Sequence, residues 1–141
     1  MQLKEEVMKM RNLRLIVILI ASIAISMATA DAFSVTADSE DTVAAPGNRE
    51  PNYIVVSVTD TNGAPVSGLA ATNFKVDAII VGPGGALVDI SRAVGGRLPG
   101  FYLLDVVPIR EETWKKGKYI FGISVEKGRE RGQALASVVM D

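Results

Sequence analysis

The chain has neither cysteine nor histidine among its 141 residues. Without cysteine there is no disulfide framework, so stability has to come from an ordinary apolar core. A lipid-modified N-terminal cysteine is excluded as well. The two absences remove Ser-His-Asp and Cys-His nucleophile systems and the imidazole or thiolate ligands on which ordinary zinc and copper sites depend. Aromatic residues make up only 6%, with one tryptophan, Trp114. What remains for catalysis is a carboxylate pair or a Ser-Lys pair. Glu111 and Glu112 are adjacent, so in an extended strand they point to opposite faces, and no spacing argues for carboxylates facing each other across about 5 to 10 Å. The expectation is a protein that is not an enzyme and uses no cofactor.

An excess of charge of one sign is also missing. The first thirty residues have the form of an export signal. Lys4, Lys9, Arg11 and Arg14 precede an apolar run, Leu15 to Ala28, that closes on the small residues Ala28-Thr29-Ala30. The run is shorter than the roughly 20 apolar residues of a membrane-spanning helix. Cleavage before Asp31 is therefore expected, with an uncleaved anchor over 15–28 as the alternative. The expected location is periplasmic or extracellular. Removing the four basic and two acidic residues of the signal leaves 11 Lys+Arg against 14 Asp+Glu. That balance attracts neither nucleic acid nor, outside the signal segment, a membrane.

Residues 31–51, DAFSVTADSEDTVAAPGNREP, are small and polar, with Phe33, Val35 and Val43 as the bulky exceptions. Such a segment buries little apolar surface and is expected to be a flexible leader. The alternation of Phe33 and Val35 supports a second reading, a strand added to a sheet edge in the same or another molecule.

From residue 52 on, short apolar runs alternate with turn residues. YIVVSVT (53–59), NFKVDAIIV (73–81), ALVDISRAV (86–94), GFYLLDVVPI (100–109), KYIFGISVEK (118–127) and GQALASVVM (132–140) predict six strands,. In ALVDISRAV, Leu87, Asp89 and Ser91 share one face and Val88, Ile90 and Arg92 the other. One short turn around Ala70 to Asn73 is the only helical candidate. Crossover helices for a parallel sheet are missing, which points to an antiparallel sandwich over residues 52–141. GPGG (82–85) and GGRLPG (95–100) lack the helix and the Lys-Ser/Thr of a phosphate loop and read as turns. Asp60, Asn62 and Gly63 also read as a turn, with Asp60 bonding the backbone two residues on. A calcium loop needs six to eight oxygens, which this stretch does not supply.

The series Val56, Val58, Asp60, Asn62, Gly63, Pro65, Val66, Gly68, Leu69, Asn73, Phe74 and Val76 resembles the opening strands of bacterial immunoglobulin-like modules. Pro99-Gly100-Phe101-Tyr102 and Gly117-Lys118-Tyr119 resemble later strand starts of the same modules. The resemblance covers about residues 52 to 140. It implies an immunoglobulin-like sandwich of six to seven strands, here preceded by an N-terminal signal helix, in an exported spacer, adhesion or binding unit. Transthyretin-like and carboxypeptidase-regulatory sandwiches share the D-x-N-G-x-P-V opening, so the topology stays open. Independently of the family, Tyr119 two residues after Gly117 suits a tyrosine corner, with Phe121 on the same face.

The candidate contact residues are Trp114, Lys115, Lys116 and Tyr102. A tryptophan among charges at the end of a sandwich can fill a partner's pocket or stack on a sugar. The competing reading makes Trp114 a plug for the end of the core. The functional expectation is an exported, non-catalytic module that binds a protein or envelope component. The alternatives are a structural subunit that self-associates by edge-strand pairing, and a polysaccharide-binding accessory domain.

Overall fold

Period-two alternation of apolar and polar residues sets seven strands: β1 (Ser34–Ser39), β2 (Asn52–Thr59), β3 (Phe74–Ile80), β4 (Val88–Gly95), β5 (Phe101–Pro108), β6 (Gly117–Lys127) and β7 (Glu130–Met140),. The computed structural model describes residues 32–40, 43–80 and 86–141, all in the unit Asp31–Asp141. The expected signal helix over 1–30 lies outside the described residues.

The strands form two antiparallel sheets, ordered β1-β2-β5-β4 and β3-β6-β7. Between them lies the core. From the first sheet Ile54, Val56, Val58, Tyr102, Leu104 and Val106 point inward, and from the second Phe74, Val76, Tyr119, Phe121, Ile123 and Val125. Each fully buried apolar side chain of this size contributes about 1.5–3 kcal/mol. The fold is an all-β, two-sheet sandwich.

The flexible leader expected over 31–51 is corrected where the chain is described. Ser34–Ser39 form β1 on the edge of β2, with Val35 opposite Val58 and Ala37 opposite Val56. Phe33 is buried in the core, and its N–H donates to Arg131 O at 2.9 Å. Two alternating apolar positions are therefore enough when an edge of complementary pattern is at hand. Further on, Asn48 ties its own loop, its Oδ1 accepting from Ala45 N at 3.0 Å and its Nδ2 donating to Val43 O at 2.9 Å.

A bulge in β4 between Ile90 and Arg92 breaks the expected alternation. The extra residue hands the inward face from Ile90 to Ala93 and turns Arg92 outward, opposite Asp105,. Arg92 therefore does not share the face of Val88 and Ile90.

Candidate interaction surface

Trp114 is fully buried. Its indole Nε1 donates to Glu50 O at 2.7 Å, and its ring stands edge-on to Tyr119 with centroids 5.2 Å apart. The backbone is clamped as well, Trp114 N donating to Asn48 O and Gly47 N to Trp114 O, both at 2.9 Å. Trp114 plugs the core and presents no face to a sugar or a partner. Tyr102 is also buried. Its hydroxyl donates to Val66 O at 2.6 Å and accepts from Leu69 N at 3.2 Å, holding the 66–69 loop. Tyr102 lies at the start of β5 and Trp114 in the connection beyond its end, and the two belong to separate aromatic contacts. Burial thus removes both from the expected contact set and leaves Lys115 and Lys116 exposed.

Tyr119 forms the expected corner. Its hydroxyl accepts from Lys115 N and donates to Lys115 O, both at 3.0 Å. Asp60 turns the chain as expected, its Oδ1 accepting from Asn62 N at 2.8 Å and Ala64 N at 2.9 Å, with Gly63 at φ 79°. Oδ1 is thus engaged by the backbone N–H groups of its own turn.

The surface features that remain are the outer faces of the two sheets. On the four-stranded sheet, Tyr53, Asp105 and Arg92 lie opposite one another across β2, β5 and β4. Arg92 Nε donates to Asp105 Oδ2 at 2.8 Å. The Asp105 side chain is only 10% exposed, and its Oδ1 has no hydrogen-bond partner among the described residues. The hydrogen bond that Arg92 donates to Asp105, and then the charge of Asp105, raise the Arg92 guanidinium above its already high ordinary pKa, against a smaller opposing effect of burial,.

On the three-stranded sheet, Gly122 lies between Asp77 of β3 and Leu135 of β7. The missing side chain opens a shallow groove of about 360 Å³, lined also by Ser124 and Gln133. Leu135, 63% exposed, stands at its edge, and Val139, 56% exposed, lies further along the same face of β7. Among the described residues this is a depression with an exposed apolar side chain, Leu135, on one side and a carboxylate, Asp77, on the other, a form suited to receiving a side chain,.

Comparison with protein-family models, curated proteins and solved structures returns no match.

Leu135, Val139 and Gly122 did not stand out in the sequence, where KYIFGISVEK and GQALASVVM read only as two strands. The signal was present: over residues 132–140 both alternating sets carry apolar residues and neither carries a charge. Asp105 was passed over because a single carboxylate in LLDVV looks solvated until the bulge brings Arg92 to it.

Proposed function

We propose that this chain is an exported, non-catalytic interaction module with an immunoglobulin-like sandwich, binding a protein or envelope component through the outer face of β3-β6-β7. The carrying observation is the exposed Leu135 at the groove of Gly122, with the exposed Val139 further along the same face of β7. Isolated exposed apolar residues are ordinary, but two on one strand face, one of them at a depression, mark a surface with a shape.

Strand order supports the immunoglobulin-like reading. Lettering the strands A to G in chain order turns the two sheets into A-B-E-D and C-F-G, the arrangement of constant-type immunoglobulin domains. The parallel bridge between Ala32 and Arg131 links the start of the first strand to the last. The tyrosine corner is a further hallmark. Export rests on the basic residues, apolar run and Ala-Thr-Ala close of the first thirty residues,. The non-catalytic reading rests on the absence of histidine and cysteine.

The test is affinity capture from envelope extract. A component retained by the protein and by Thr36→Lys, which alters the exposed face of β1, but lost with Leu135→Lys, supports the reading. Equal retention by all three overturns this face as the binding surface.

A further inference from the structure

We propose that the free edge of β7 pairs antiparallel with β7 of a second copy of this chain, about a two-fold axis at Ser137. This names a partner for the face assigned above and rests on that reading.

The backbone fixes which groups are offered. Arg131 O accepts from Phe33 N at 2.9 Å, so at Arg131 the main chain turns its polar groups away from β6. The β6–β7 register runs unbroken from Lys127 opposite Glu130 to Gly117 opposite Met140. Alternate residues therefore face the same way, and Gln133, Leu135, Ser137 and Val139 direct N–H and C=O groups to the free edge. Beyond Phe33 the first strand takes its ladder hydrogen bonds from β2 while staying packed alongside β7. Among the described residues these edge groups have no backbone partner.

Edge strands usually carry a charge, a proline or a bulge that blocks pairing with another chain. Residues 132–140 contain neither a charge nor a proline, and the strand has no bulge. Nothing in residues 132–140 themselves blocks strand addition, and an added strand has β1 as its neighbour.

Self-complementarity selects the occupant. Leu135 and Val139 stand symmetrically about Ser137. A two-fold axis there sets Leu135 against the partner's Val139, and Val139 against the partner's Leu135, on the outer face. Cross-strand apolar pairs of this kind stabilise antiparallel sheets. Gln133 then lies opposite the partner's Asp141, with Arg131 on the diagonal from the same carboxylate. Neither Arg131 nor Asp141 has an ion-pair partner among the described residues. A parallel arrangement would instead bring Arg131 to Arg131 and Asp141 to Asp141, which like-charge repulsion disfavours. The product is a continuous six-stranded sheet in which the two Gly122 grooves flank a seam of four apolar side chains.

The absence of native cysteine gives a clean test. Ser137→Cys, produced from the full chain, carries one thiol, and hydrogen-bonded opposite residues in an antiparallel pair have Cα atoms about 5.5 Å apart, within disulfide reach. Under mild oxidation the expected result is a covalent dimer formed at least about ten-fold faster than with Thr36→Cys, and slowed about ten-fold by adding Leu135→Lys. A folded Ser137→Cys protein that crosslinks no faster than Thr36→Cys overturns the proposal. Sedimentation of the unsubstituted protein gives an independent reading. A dimer that Leu135→Lys dissolves supports the pairing, and a monomer at every concentration overturns it. A monomer that still captures an envelope component in a Leu135-dependent way overturns the self-pairing while leaving the interaction face in place.

Discussion

Arg92 Nε and Asp105 Oδ2 meet at 2.8 Å on the outer face of the four-stranded sheet, and the bulge at Ser91 makes the meeting possible. The carboxylate is nearly buried while the guanidinium is largely exposed, so the two partners are not equivalent. Removing Arg92 strands a desolvated charge, whereas removing Asp105 frees a solvated one. Arg92→Met is therefore expected to lower the urea midpoint clearly more than Asp105→Leu does. Adding Asp105→Leu to Arg92→Met should recover much of the loss. Equal effects of the two single changes, compared in a double-mutant cycle, would mean the carboxylate is hydrated in solution.

The sole tryptophan gives the second prediction. Trp114→Ala should cost about 3–5 kcal/mol in unfolding free energy, through the cavity beside Tyr119 and Phe121 and the loss of the bond to Glu50 O,. Trp114→Phe keeps most of the volume and should cost about 1–3 kcal/mol, the scale of one buried acceptor left unsatisfied. Because Trp114 is the only indole, native fluorescence should be blue-shifted and unaffected by added polysaccharide. A sugar-dependent change in emission would contradict the burial.

How much was legible in advance depended on whether the deciding contact was local. The Asp60 turn, the 3-10 turn at Ala71–Asn73 and the Tyr119 corner each involve partners within about four residues, and the sequence pattern was sufficient for them. All six expected strands appear with small shifts at their ends. The seventh, β1, stood only as the second reading of the alternation of Phe33 and Val35, because its stability comes from the edge of β2, a partner that local sequence does not show. Arg92 was placed on the wrong face because a bulge is a property of two paired strands, invisible in one. Trp114 carried two readings in the sequence, and only the 47–50 loop folded over it separates them.

Tyr119→Phe tests the corner directly. The ring stays in the core, but Lys115 N and Lys115 O lose their hydroxyl partner. The expected cost is about 1–3 kcal/mol, the range for buried backbone groups left without a bond. The readout is the denaturant midpoint at unchanged m-value, since compactness is not altered. Amide exchange at Lys115 should speed up before exchange elsewhere in β6. No change at Lys115 would assign the tyrosine a packing role alone.

Two glycines with similar φ should respond differently to alanine. Gly68 has φ 75° with open space where a Cβ would stand, and Gly100 has φ 78° with Pro65 Cβ and Val58 O both 2.8 Å from that position. Gly68→Ala meets only the left-handed strain of about 1 kcal/mol. Gly100→Ala adds overpacking against a proline and a backbone carbonyl, for about 3 kcal/mol in total. Comparable melting temperatures for the two variants would show that Pro65 yields without cost.

The β5–β6 connection holds an opportunity for stabilisation. Arg110 and Glu111 have φ 56° and 63°, and Glu112 N donates to Ile109 O at 3.0 Å, so two non-glycine residues occupy the centre of a type I′ turn. Left-handed backbone costs such residues about 1–2 kcal/mol each, and Asn-Gly is the pair this turn prefers. The double change Arg110→Asn, Glu111→Gly removes that strain. It also removes the Arg49–Glu111 ion pair, 3.0 Å long with the Glu111 side chain 92% exposed, whose contribution is at most about 1 kcal/mol. The net expectation is a gain of about 1 kcal/mol, a rise in melting temperature of roughly 4–8 °C for a domain of this size. A fall would mean that the ion pair holds the 43–51 loop over Trp114. In that case the loss should be reproduced by Arg49→Met alone, with the Trp114 emission shifting to the red.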